Sequence, residues 1–225
     1  SAGFYPLDSR RLVSWLPDAH FDGDSQEVLV YEFGCHWQHS DLLYQVMQGQ
    51  GLSDYWDYDE HGTMVAGIAA GRLNTSVAEN GISGVADGAR FLFRRHVGGA
   101  EPTQVQAAAE QGYMIQNHSW GALDSLGRYT GLAYRFDGLA DTKDALIVKS
   151  AGNQPLADIT SPGTGKNVLA VGGIYYVPSD AWSEVLGMHV SNVSSIGPTR
   201  EGMLKPELVA PCGSPAGACT DRGVV

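Results

Sequence analysis

From residue 28 onward the chain alternates short apolar runs with segments of helical period, a pattern that demands a parallel sheet with crossover helices. "VLVYEFG" (28–34) reads as a buried strand, "HGTMVAGIAAG" (61–71) as a helix and "RFLFRRHV" (90–97) as a second strand. Thr103 with Gln106 forms a capping-box pattern that opens a helix over "TQVQAAAEQG". "YMIQNHSWG" (113–121) reads as the next strand, followed by a helix near 130–142 and the strands "ALIVKSAGN" (145–153) and "NVLAVGGI" (167–174). The expected fold class is α/β: a doubly wound, mostly parallel sheet with helices on both faces, in one domain over residues 1–225. No repeat, linker or low-complexity segment interrupts the pattern.

The segment after His61 carries no charge until Arg72. Val65, Ile68 and Ala69 fall at the three- and four-residue spacing of one apolar face, while Gly62, Ala66, Gly67 and Ala70 leave the other faces thin enough for close packing. It reads as a buried helix that starts at the histidine. Asp59 or Glu60 is placed to cap the first turn, where free amides and the positive end of the helix dipole favour a carboxylate. The same dipole end disfavours an imidazolium, so His61 is expected to be held neutral, as a general base must be.

With 43% apolar and 17% charged residues, 225 residues suffice for a sizeable core. A net charge of -11 without any basic run argues against a nucleic-acid partner. No apolar stretch approaches the ~20 residues of a membrane span, and no charged-then-apolar leader stands at Ser1, so a soluble chain, leaderless or already processed, is expected. Cys212 and Cys219 are close enough in sequence to close a small loop, leaving Cys35 unpaired. That weakly favours a secreted or extracytoplasmic location over a cytoplasmic one.

Open sheets of this class bind ligands at the carboxyl ends of their strands. Glu32 ends the first strand, Asn117 and Ser119 the third, and Asn153, after Ala151-Gly152, the fourth. With His61 at a helix start, these are the parts of an acyl-transfer site: an orienting acid, a general base and an oxyanion donor. His36, His39 and Asp41, beside Cys35, have a spacing that a transition metal could also use.

Four motifs then occur in order. "HGTMVAGIAAG" is similar to HGTxVAGxxA, "NHSWG" to NxSxG, "SAGN" to AAGN, and "SNVSSIGPTREGMLKPELVAPCG" to SSxGPT…KPDxxAPG. Together they resemble the subtilisin-like serine peptidases, the subtilases, over nearly the whole chain. The resemblance implies a subtilisin-like domain, incomplete at its C-terminus, that acts as a serine endopeptidase on peptides or proteins. In it His61 is the general base, Asn153 the oxyanion donor, and Ser119, Trp120, Gly121, Ala151 and Gly152 bind substrate, with Trp120 suggesting a bulky or partly closed pocket. No cofactor is required. Structural calcium is possible, with ligands from the loop 73–81 and from Asp41, while His39 and Asp41 fall on the family's HPDL turn, which argues against a dedicated transition-metal site.

Two departures touch the chemistry. "EFGCHWQHSDL" puts Glu32 where the family has aspartate, and no GTSxAxP serine motif occurs. The nucleophile is therefore expected beyond Val225, in the same polypeptide or in a second chain or C-terminal fragment. The alternative is a catalytically inactive module that binds peptides or a partner protein beside Ser119-Trp120-Gly121.

Overall fold

A computed structural model of the chain describes residues 22–39, 41–42, 46–47, 60–72, 84–154, 158–176 and 188–212. The chain divides into two compact units, with the boundary between Gly98 and Gly99.

In the first unit, β1 (Glu27–Glu32) runs parallel to β3 (Arg90–Arg95), in register from Glu27 opposite Arg90 to Glu32 opposite Arg95. The short β2 (Val46–Met47) pairs with β3 in parallel. Leu29, Val30 and Tyr31 are completely buried, so β1 is covered on both faces, as its continuous apolar run requires. The helix α1 (His61–Ala70) packs with Val30, Phe91 and Phe93 in one core cluster. Its buried residues are Gly62, Ala66 and Ala70, while Ile68 is exposed. The face read as thin is thus the one that docks, and the expected face of Val65, Ile68 and Ala69 is only partly used. Close approach explains the exchange: a β-carbon at Gly62 would collide with the carbonyl oxygen of Gly34. At the far end, Gly84, Val85 and Ala86 donate their amides to Gly71, Ile68 and Ala69, satisfying carbonyls that the helix terminus leaves open.

The second unit is a run of parallel strands linked by helices. β4 (Ile115–His118), β5 (Leu146–Ser150) and β6 (Val168–Tyr176) pair in parallel, in that order. Val171 pairs with both Ser150 and Leu208, which puts β8 (Leu208–Pro211), also parallel, on the edge of β6 opposite β5. The antiparallel β7 (Met188–Val190) takes the edge that β5 vacates, since Ile174 pairs with both Val190 and Pro211. β2, β7 and β8 were not expected from periodicity.

The helix α2 (Glu101–Glu110) starts ahead of the expected capping box. Ala100 precedes it without a side-chain cap, and Pro102 occupies the first turn, where its fixed φ fits and its missing N–H costs nothing. Gln106 instead donates to Glu110 at 2.8 Å. The helix α3 (Gly131–Lys143) is capped by Thr130, whose hydroxyl accepts from the Ala133 amide at 3.1 Å. Lys143 at its end meets Glu110 of α2 at 2.9 Å.

Candidate active site

In the first unit the fold brings Glu32 and His61 together. Glu32 is the last residue of β1 and is 1% exposed; His61 is the first residue of α1. Glu32 Oε1 stands 2.7 Å from His61 Nδ1, and Oε2 accepts from the Phe33 amide at 2.7 Å. The pair is within charge-assisted distance, although Oε1 accepts no hydrogen bond in this geometry. His61 is 42% exposed, in contrast to the buried Glu32. The approach of helix to strand is fixed by Gly62 against Gly34 and by Thr63 Oγ1, which accepts from the His36 amide at 2.8 Å.

The expected carboxylate cap is not made by Glu60. That residue holds the left-handed conformation at φ 60° and its side chain caps nothing, because its backbone is used to turn the chain into the helix. Asp59 and the loop 73–81 lie outside the described residues. Asp41 contributes its backbone carbonyl to the Arg72 amide, and its side chain stands 3.8 Å from His39. Among the described residues no three histidine, cysteine or acidic side chains gather as a metal site. Cys35 is buried and Cys212 half-buried, with no disulfide between them; the loop closure that the spacing of Cys212 from Cys219 allows involves Cys219, which lies outside the described residues.

The other expected residues stand in the second unit, at the ends of β4 and β5. Asn117 donates to the Ser119 hydroxyl at 3.0 Å, half-buried. Trp120 is 5% exposed, packed edge-on to Phe136 of α3, and its Nε1 donates to His118 Nδ1 at 3.1 Å. After β5, Gly152 takes φ +119°, which a residue with a β-carbon avoids, and turns the chain so that Asn153 is exposed. The turn is held by the Ser195 amide on the Gly152 carbonyl at 2.8 Å.

Behind these segments lies a polar row. Gln116 donates to the carbonyls of Tyr113 and Val105 at 2.9 and 3.3 Å, which leaves its Oε1 facing His118 Nε2 at 3.3 Å. With Trp120 donating to Nδ1, His118 is the neutral tautomer protonated at Nε2. Lys149, opposite His118 in register, is fully buried, donates to the carbonyl and hydroxyl of Ser150 at 2.7 Å each, and lies 5.9 Å from the centre of the Trp120 ring. His118 and Lys149 were missed, although a histidine and a lysine at inward-facing, alternate positions of apolar strands were a readable signal. Thr160, buried between Gly121 and Gly152, was missed as well. It carries no local signal, since its place depends on two distant segments.

A sequence model of the subtilase family matches residues 28–224. The thermophilic serine proteinase of Bacillus sp. (strain AK1) is 30% identical over 190 residues, which cover 76% of this chain and 45% of that protein. The major intracellular serine protease of Bacillus subtilis (strain 168) is 29% identical over 174 residues, covering 68% of this chain and 52% of that one. The chain thus spans about half the length of these two curated relatives. In fold it is similar to the S41 psychrophilic protease, with a TM-score of 0.68 at 22% identity over 95% of this chain and 74% of that one. Sphericase gives a TM-score of 0.64, also at 22% identity, over 95% and 75%. The architecture is therefore the subtilisin-like α/β fold.

Proposed function

Because this chain belongs to the subtilase family, we propose that it supplies the base, the orienting acid and the oxyanion donor of a serine endopeptidase. The observation that carries the proposal is the Glu32–His61 pair, a buried carboxylate 2.7 Å from the ring of a histidine that is itself accessible. A serine from outside residues 1–225 attacks the peptide carbonyl, and His61 Nε2 takes its proton. The positive charge then forming on the ring faces Glu32, which favours the proton on Nδ1 once the two groups are aligned. Such a bond tightens when substrate binds. Asn153, exposed at the turn after β5, donates to the developing oxyanion, and the backbone of Ser119, Trp120 and Gly121 pairs with the extended peptide beside Ala151 and Gly152. Nothing in this reading calls for a cofactor; calcium in the loop 73–81 would stabilise the domain without entering the chemistry.

The test uses the full-length gene product. A fluorophosphonate should label one serine, peptide hydrolysis should be lost in parallel, and His61→Ala should abolish both. A full-length protein that neither takes the label nor cuts peptides would overturn the proposal and leave a peptide-binding module.

A further inference from the structure

Two glycines flank one buried side chain in the second unit. Thr160 is 2% exposed. A β-carbon built on Gly121 would come 2.5 Å from its Oγ1, and one on Gly152 would come 2.6 Å from its Cγ2. The threonine thus spans the gap from one glycine to the other, hydroxyl toward Gly121 and methyl toward Gly152. Both of its donors are committed: its amide donates to the Ala151 carbonyl at 2.9 Å and its hydroxyl to the same oxygen at 3.2 Å. Next to it, the Ala122 amide donates to the Ser161 carbonyl at 2.9 Å, stitching the segment to the other wall. A β-branched side chain so held has little freedom to rotate aside.

We propose that Thr160 is the specificity-determining residue of this chain and restricts it to peptide bonds that follow a small residue: glycine, alanine or serine. The inference rests on the peptidase reading above. In that reading the substrate pairs with residues 119–121 and its attacked carbonyl reaches Asn153, so the residue supplying the carbonyl lies over the gap between the two glycine segments. Side chains of an extended peptide alternate, and the one directed into that gap meets Thr160. A leucine or phenylalanine there would need a recess that the threonine fills. Trp120 offers no alternative opening, since its ring is committed to the core beside Phe136.

The experiment measures kcat/KM of the full-length protein on a peptide series that differs only at the residue before the cut: Gly, Ala, Ser, Leu and Phe. The native protein should favour Ala or Ser over Leu and Phe by ~10-fold or more, since one or two methylenes without space are worth that much discrimination. Thr160→Gly should raise the Phe-to-Ala ratio by ~10- to 100-fold. Thr160→Ser, which keeps the hydroxyl bond to Ala151 and removes only the methyl, should shift the ratio the same way by less, and serves if the glycine variant does not fold. Native cleavage after Leu or Phe as fast as after Ala, or an unchanged ratio in the folded variants, overturns the inference and leaves the peptidase reading standing. No cleavage of any peptide, with no fluorophosphonate labelling, overturns both.

Discussion

In the proposed role the Glu32 carboxylate acts on His61 across 2.7 Å, and its effect depends on that distance. Glu32→Gln should lower kcat by on the order of 10⁴-fold, as loss of an orienting carboxylate does in a serine-protease triad, because the amide no longer enforces the Nδ1-protonated ring. Glu32→Asp withdraws the carboxylate by ~1 Å and should cost ~100-fold, with steady-state kinetics on a good peptide as the check. Asn153→Ala should reduce kcat by ~100- to 1000-fold with little change in KM, since the bond it makes strengthens in the transition state. A change in KM alone would remove Asn153 from the chemistry. A pH effect follows from Tyr129, whose hydroxyl donates to Asp137 at 2.8 Å; that bond, with burial and the nearby carboxylate charge, pushes its pKa up to about 12 from 10.0. The folded state therefore keeps a proton that the unfolded chain releases. Stability from this bond is complete below pH 10 and is lost as pH rises toward about 12. Denaturant titrations across that window should show the loss in the native protein and not in Tyr129→Phe.

At the level of an element, α1 contains two glycines whose substitution should act with opposite sign. Gly67 has nothing within 4 Å of where a β-carbon would stand, so Gly67→Ala should stabilise by about 0.5–1 kcal/mol through helix propensity. Gly62→Ala would gain the same propensity but drive a methyl into the Gly34 carbonyl, an overpacking that costs about 1–3 kcal/mol and displaces His61 from Glu32. Its melting temperature and its kcat should fall together, in calorimetry and in the peptide assay. Thr130→Ala, removing the cap of α3 and the 2.6 Å contact of its hydroxyl with that of the buried Ser161, should cost about 1–2 kcal/mol, read in a denaturant titration. The existence of α1 and its start at His61 were legible, because they follow from composition and local period. Which face docks was not: the apolar spacing pointed to Val65, Ile68 and Ala69, and the docking distance that selects Gly62, Ala66 and Ala70 is a property of the strand beneath.

For the molecule as a whole, the order of strands and helices was legible because each rests on a contiguous pattern, an apolar run ended by one polar residue or a helix opened by one histidine, whereas the pairing of Glu32 with His61 was implied by the resemblance of their two motifs to those of the subtilases. Thr160, β7 and β8 were not, since they are defined by partners 30 or more positions away in the case of Thr160 with Gly121, and by edge pairing for the strands. The net charge of -11 gives these residues a field that attracts cationic substrates. A Lys-flanked peptide should therefore lose kcat/KM as salt rises, and a Glu-flanked peptide of the same core should not, a contrast that stopped-flow or initial-rate measurements over ionic strength will read. The buried row behind β4 has an optical consequence. An indole that is almost dry, with its N–H on a neutral imidazole, emits at short wavelength and is shielded from dissolved quenchers. Of the 5 tryptophans in the chain, Trp120 therefore gives a light signal from the very strand that would hold the peptide. The acrylamide-resistant emission that disappears in Trp120→Phe reports whether that edge is intact, in a sample with no substrate present.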